Sequence, residues 1–113
     1  MASINVYEQY FEAKGTFNGV ERHGALVILL SDSEAGNIRY EACVTFFPHR
    51  DEEDYAVSYD ACFSKVLYEG TGRRSKKKEA AYLEGFREMI DEIAKENDAE
   101  VYWEKPLREA RFG

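Results

Sequence analysis

Side-chain alternation in residues 38–48 and 55–70 restricts the fold of this chain more than any other feature. The first segment reads IRYEACVTFFP and the second YAVSYDACFSKVLYEG, and in both an apolar residue recurs at every second position. A period of two predicts β-strands that each bury one face. Pairing the strands so that Val44 lies opposite Ala61 brings the two apolar faces together. We therefore predict an antiparallel hairpin with one face in the core.

A third strand is predicted from ALVILLSD at 25–32, which leads through the turn SEAGN at 33–37 into this hairpin. Its apolar residues cover both faces, because Leu26, Ile28 and Leu30 alternate with Val27 and Leu29. A strand with one face in water carries polar residues on that face. We therefore expect the outer face to be covered, either by the C-terminal tail or by a second copy of the protein.

Helices are predicted on both sides of the strands. Ser3 is expected to cap a helix over 4–14, whose apolar residues recur at helical spacing and which ends at Gly15. The segment GTFNGVERHG at 15–24 is predicted to be a loop because it is rich in glycine. A second helix is predicted over 75–97. Its buried stripe is expected to contain Ala80, Leu83, Phe86, Met89, Ile90 and Ile93.

The predicted fold class is therefore α+β, in the order α-β-β-β-α. Both helices are expected to pack on one face of a three-stranded antiparallel meander. Residues 1–98 would form this domain, and residues 99–113 a C-terminal tail that contains Trp103 and could pack on the sheet. The length of 113 residues and the 44% hydrophobic content fit one globular domain with a modest core.

A cluster of positive charge precedes the second predicted helix, although the chain has a formal net charge of -7. The cations of this basic cluster are Arg73, Arg74, Lys76, Lys77 and Lys78. Lysines in the first turn of a helix oppose the helix dipole, which favours acidic residues there. An anion at this position would reverse that penalty, because N–H groups, dipole and ammonium groups would converge on it. The cluster thus predicts a phosphate site, and a solvated charge run is the alternative.

The segment GTGRRSKKKEAA at 70–81, in an α-β-β-β-α order, resembles the double-stranded RNA-binding domain. The residues that carry the resemblance are Gly70, Gly72, Ser75, Lys76, Lys77, Ala80 and Ala81, with YFEAKG at 10–15 similar to the end of that family's first helix. The resemblance implies that the lysines contact phosphates of duplex RNA and that Gln9 reaches a minor groove. The sequence departs from the family at 31–37. The family's loop contains Pro and His at this point, whereas this chain has SDSEAGN.

Two functions follow as expectations. The first is binding of double-stranded or structured RNA through the basic cluster, Arg73 to Lys78, assisted by Gln9 and by the loop between the first two predicted strands. The second is protein interaction or homodimerisation on the same fold, suggested by the acidic net charge, the departing loop and the doubly apolar strand. Mimicry of nucleic acid by the acidic surface is a weaker third interpretation, because the basic cluster opposes it.

No enzyme chemistry is predicted. The register of the hairpin places Cys43 opposite Cys62, which we interpret as packing residues rather than a metal half-site or redox pair. His23 and His49 lack a nucleophile arrangement, and HRDEED at 49–54 lacks the spacing of a calcium loop. We therefore expect no catalytic residue, no metal and no cofactor.

The chain is expected to be cytoplasmic, with reduced thiols. Its N-terminus lacks the basic-then-apolar pattern of a signal peptide. Its longest apolar run, ALVILL, is far shorter than the roughly 18 residues of a membrane span, so no membrane association is predicted.

Overall fold

The computed structural model describes residues 2–48 and 61–107. They form five strands and two helices. The strands are β1 (Ala2–Phe17), β2 (Val20–Glu34), β3 (Asn37–Phe47), β4 (Cys62–Thr71) and β5 (Glu100–Leu107), and the helices are α1 (Lys76–Glu84) and α2 (Phe86–Glu96).

The strands form one antiparallel sheet in the order β4-β3-β2-β1-β5. Two-residue turns connect the three longest strands, Asn18-Gly19 between β1 and β2 and Ala35-Gly36 between β2 and β3. All four of these residues have positive φ, between 51° and 81°. This geometry matches the right-handed twist of paired strands, and it explains why each turn places glycine second.

The core lies between one face of the sheet and helix α2. Val27, Leu29 and Val44 of the inner face have no exposed surface. Against them α2 packs an amphipathic stripe with a spacing of three and four residues. That stripe consists of Phe86, Ile90, Ile93 and Ala94. Burial of these apolar surfaces is the main force that holds the helix on the sheet.

The helix predicted over 4–14 is wrong, because this segment is part of strand β1. Strand β1 pairs with β2 along its whole length, with Tyr7 opposite Leu29. A register shift between Asn5 and Tyr7 explains the helical spacing in the sequence. The extra residue at the bulge places Ile4 and Tyr7 on one face although they are three positions apart. The segment 15–24, predicted as a loop, continues this pairing on both sides of the Asn18-Gly19 turn.

The α-β-β-β-α order and the resemblance to the double-stranded RNA-binding domain are also wrong. The sheet has five strands instead of three, its first strand replaces the predicted first helix, and residues 100–107 form strand β5 beside β1. An edge position in the sheet satisfies half of the backbone groups of β5, which an unpaired tail would expose to water.

The helix predicted over 75–97 is divided at Gly85, which has φ of -103° and ψ of 10°. Phe86, Ile90 and Ile93 are buried as predicted, whereas Ala80 and Leu83 of α1 are exposed. Glycine lowers the helix propensity at this point, so α1 can leave the sheet while α2 remains packed on it.

The hairpin of β3 and β4 has a different register from the predicted one. Val44 lies opposite Phe63 rather than Ala61, and Cys62 opposite Thr45 rather than Cys43. A slide of two residues keeps each side chain on the predicted face because the period of a strand is two. Of the segments predicted around this hairpin, 49–54 and 55–60 lie outside the described residues.

Candidate anion-binding site at the start of helix α1

A glycine fixes the path of the chain from β4 into α1. Gly72 has φ of +133°, a region that side chains with a Cβ rarely adopt. Its N–H donates a hydrogen bond of 2.8 Å to the carbonyl oxygen of Gly36 in the β2–β3 turn. The basic cluster therefore begins at a point fixed to the end of the β2–β3 hairpin.

Ser75 caps α1, as predicted. Its backbone is extended, and its Oγ accepts a hydrogen bond of 3.3 Å from the backbone N–H of Lys78. The N–H of Ser75 donates in turn to the hydroxyl of Tyr40 on β3, at 2.9 Å. The cap thus satisfies one free N–H of the helix and also ties the helix start to the sheet.

Glu79 and Arg74 form the strongest polar contact of the site. Arg74 donates from Nε to Oε2 of Glu79 at 3.0 Å and from Nη2 to Oε1 at 2.9 Å. The hydroxyl of Tyr40 donates to the same Oε2 at 3.0 Å. Glu79 is buried, and the hydrogen bonds from Arg74 hold the pKa of its carboxyl below its usual range despite the opposing effect of burial. Arg74 is therefore engaged within the protein.

The other four cations of the cluster face solvent. Within the described residues, Arg73, Lys76 and Lys77 form no ion pair. The ammonium group of Lys78 lies 3.7 Å from the ring centroid of Tyr68 on β4, a cation–π contact that leaves the charge accessible. Together with the N-terminus of α1, these side chains create a local positive potential that can attract an anion.

The structure does not bring Gln9 to this cluster. Gln9 lies on β1, where its side-chain amide donates to the carbonyl oxygens of Leu107 at 2.8 Å and Tyr10 at 3.2 Å. Two strands separate β1 from β4. Three spacings of roughly 4.8 Å therefore place β1 about 14 Å from β4. The family resemblance implies a surface on which the lysines and Gln9 contact RNA together, and the structure does not assemble it.

A cleft with acidic walls lies beside the turn that holds Gly72. It has a volume of about 480 Å³, and Asp32, Glu34 and Glu69 contribute its carboxylates. Arg39 pairs with Asp32 across 3.6 Å and compensates part of this charge. The positive surface of the site is thus bounded on this side by negative charge, which limits how much polyanion it can contact.

Sequence reasoning missed the residues that organise the site, namely Tyr40, Tyr68 and Glu79. An inward position of Tyr40 could have been inferred, since it alternates with the buried Ala42 and Val44 on β3. Glu79 in the first turn of α1 is favourable to the helix dipole. Its contact with Tyr40 joins positions 39 residues apart, which no local pattern indicates.

The two cysteines occupy neighbouring strands on the outer face. Burial, followed by the nearby charge of Glu41, raises the pKa of Cys43 to about 12. Cys62 is exposed, and its Sγ accepts a hydrogen bond of 3.2 Å from Thr45. Across residues 2–48 and 61–107 no three side chains of His, Cys, Asp or Glu are grouped to hold a metal ion. His49 lies outside this part of the chain.

Comparison with known proteins yields no relative: no family model, no curated protein and no solved structure matches the chain. Within the described ranges, no helix is both long and apolar enough to cross a membrane.

Proposed function

We propose that this protein is a non-enzymatic binding module that binds structured RNA through the phosphate groups of the RNA. The contacts would come from the four solvent-facing cations of the basic cluster, Arg73, Lys76, Lys77 and Lys78. The observation that carries the proposal is that these exposed charges project from a helix start held by hydrogen bonds and form no ion pair within the described residues. A phosphate there would receive ammonium groups and helix N–H groups together.

The energetics of phosphate binding limit the expected affinity. Each neutralised phosphate lowers the slope of log K against log salt by about 0.7 to 0.9. Four cations that engage roughly three phosphates would therefore give a slope near about -2 to -3, which means weak binding that disappears at high salt. Because one surface supplies all contacts, we expect little preference for base sequence.

The proposal is tested by fluorescence anisotropy with a labelled RNA hairpin and a labelled RNA duplex of about 20 base pairs, longer than one duplex-binding domain spans. We expect salt-dependent binding that the triple variant Lys76→Ala/Lys77→Ala/Lys78→Ala abolishes. The matched control Lys65→Ala/Lys95→Ala/Lys105→Ala removes the same charge elsewhere and should retain most of the affinity. Absence of binding at about 50 mM salt, where phosphate contacts are strongest, would contradict the proposal.

A second function, self-association or protein binding through the outer sheet face, is favoured by the row Leu26, Ile28 and Leu30. These side chains lie opposite the helix-covered face and are only partly buried. Sedimentation velocity over a wide concentration range tests it. We expect a dimer that Ile28→Glu dissociates, with circular dichroism showing that the variant remains folded. A wild-type protein that stays monomeric at all concentrations would contradict self-association.

A further inference from the structure

The two edges of the sheet differ in their protection against pairing with another strand. At one edge, β5 contains Pro106 and Lys105, and its pairing with β1 jumps from Tyr102 to Pro106 between neighbouring residues of β1. Proline, lysine and irregular register are the devices by which proteins block an edge. At the other edge, β4 pairs only with β3 within the described residues. Between Cys62 and Thr71, β4 contains no proline and a single lysine, Lys65, which contacts Glu92 of α2.

The accessible part of this edge is the first half of β4. A register shift occurs between the partners of Tyr40 and Glu41, so that Leu67 has no partner on β3. Regular pairing extends from Cys62 to Val66, a stretch close to the usual length of a strand. Within the described residues, the backbone N–H and C=O groups of this stretch that point away from β3 have no strand partner, and an added strand can pair with them.

A groove runs beside the same stretch, between β4 and helix α2. Its volume is about 440 Å³, and β4 contributes residues 62–65 to its wall. Phe63 and Ile93 provide apolar surface, and Glu92 and Glu96 lie on the helix side. Lys65 contacts Glu92 at 3.9 Å. Glu96 has no ion pair in the described structure, so the groove combines apolar contact area with uncompensated negative charge.

We propose that the edge of β4 from Cys62 to Val66 is a docking surface for an extended segment of another protein in which apolar and basic residues alternate. The segment would add as a sixth strand, held by backbone hydrogen bonds. Because successive side chains of a strand point to opposite faces, every second residue would enter the groove. A lysine or arginine there packs its stem on Phe63 and places its charge near Glu92 and Glu96.

The residues of the docked segment that lie between its basic residues contact an apolar surface instead. They face the outer side of the sheet, where Val66 is 45% exposed and provides an apolar contact. The preferred segment is therefore basic towards α2 and apolar towards Val66. This surface is separate from the basic cluster, so binding of a peptide and binding of RNA can be measured independently.

A second copy of this chain fits the edge less well than a basic segment. Symmetric pairing of two β4 strands would place both α2 helices on the same side of the joined sheet, one on each side of the junction. Glu92 and Glu96 of the two copies would then approach one another, and like charges across an interface oppose association. The net charge of -7 adds to this repulsion.

The probes for the test are two labelled peptides of eight residues, one alternating lysine with valine and one alternating glutamate with valine. Near 100 mM salt, where the screening length is about 10 Å, we expect the protein to bind only the lysine peptide. The variant Glu92→Lys/Glu96→Lys should weaken that binding by about tenfold or more and create affinity for the glutamate peptide. The control Glu84→Lys/Glu88→Lys makes the same charge change on exposed residues outside the groove and should have a much smaller effect.

Alkylation of Cys62 by iodoacetamide locates the bound peptide. Cys62 is exposed at the edge, whereas Cys43 stays protonated near pH 8 and reacts slowly. Bound lysine peptide should slow the alkylation of Cys62 severalfold. The proposal is overturned if neither peptide binds, if both double variants lose affinity equally, or if the lysine peptide does not protect Cys62. It is also overturned if Cys62 is already protected without peptide at concentrations where sedimentation shows a dimer, because a second copy would then occupy this edge.

Discussion

Arg74 and Glu79 form a two-point salt bridge at the start of α1, with N–O distances of 2.9 and 3.0 Å. The bridge divides the basic cluster into two classes of cation. Arg74 neutralises a buried carboxylate, and the other four side chains present their charge to solvent. The same carboxylate reaches Tyr40 on β3, so the helix that carries the solvent-facing cations is anchored to the sheet.

Tyr40→Phe is expected to reduce stability without changing the fold. The Tyr40 hydroxyl is buried, donates to Glu79 and accepts from the N–H of Ser75. Removal of this hydroxyl leaves both partners short of a hydrogen bond, which should lower the free energy of unfolding by about 1–3 kcal/mol. Urea denaturation measures the loss. Tyr102→Phe is the matched control, because the Tyr102 hydroxyl forms no hydrogen bond with the described part of the chain. An equal loss in both variants would contradict the role of Tyr40.

The pH dependence of stability should report the Glu79 carboxylate. Its pKa is lowered in the folded protein, chiefly by hydrogen bonds from Arg74. The unfolded state therefore binds the proton more readily, and this contribution to stability is complete above the ordinary glutamate pKa of about 4.3 and disappears as pH falls through the folded value. Urea titrations from pH 6 downwards should show a steeper decline for the wild type than for Glu79→Gln. Glu84→Gln, which removes an exposed carboxylate of the same helix, is the control, and parallel curves for wild type and Glu79→Gln would refute the assignment.

Salt titration of RNA binding should separate the two classes of cation. Lys77→Ala removes a solvent-facing charge and should reduce the slope of log K against log salt by about 0.7 to 0.9. The double variant Arg74→Met/Glu79→Gln removes two charges that already compensate one another and keeps an acceptor for Tyr40. We expect its slope to equal that of the wild type. A reduced slope in the double variant would show that Arg74 contacts phosphate directly.

The sequence predicts β3 well because its apolar and polar residues alternate without interruption, and it predicts the 25–32 part of β2 because ALVILL is a continuous apolar run. Over Ala25–Phe46 the buried residues follow the expected period of two on both strands. The cap at Ser75 and the buried stripe from Phe86 to Ile93 were also predicted, since each depends on residues within one or two turns of a helix. Such features follow from local spacing alone.

The N-terminal segment could not be assigned in this way, because its bulges change the phase of the alternation. Pairing with β2 decides the conformation there, and tertiary pairing overrides a weak local preference. The local signal of this hairpin is the Asn18-Gly19 dipeptide, since Asn-Gly is the strongest short-range indication of a hairpin turn. The basic cluster precedes a helix capped by Ser75, as the sequence predicts, but the salt bridge of Arg74 with Glu79, which also binds the distant Tyr40, follows from no local pattern.

Gly72, in the turn before α1, and Gly85, directly after α1, should respond in opposite directions to substitution by alanine. Gly72 has φ of +133°, so Gly72→Ala strains the backbone and should lower the free energy of unfolding by about 1–3 kcal/mol. Gly85 has φ of -103°, which alanine can adopt, and its added Cβ would meet Met89 at an ordinary 3.6 Å. Gly85→Ala should therefore be neutral or stabilise by up to about 1 kcal/mol, because alanine restricts the unfolded chain. Urea denaturation of both variants checks the pair, and stabilisation by Gly72→Ala would show that the left-handed turn does not fix the entry into α1.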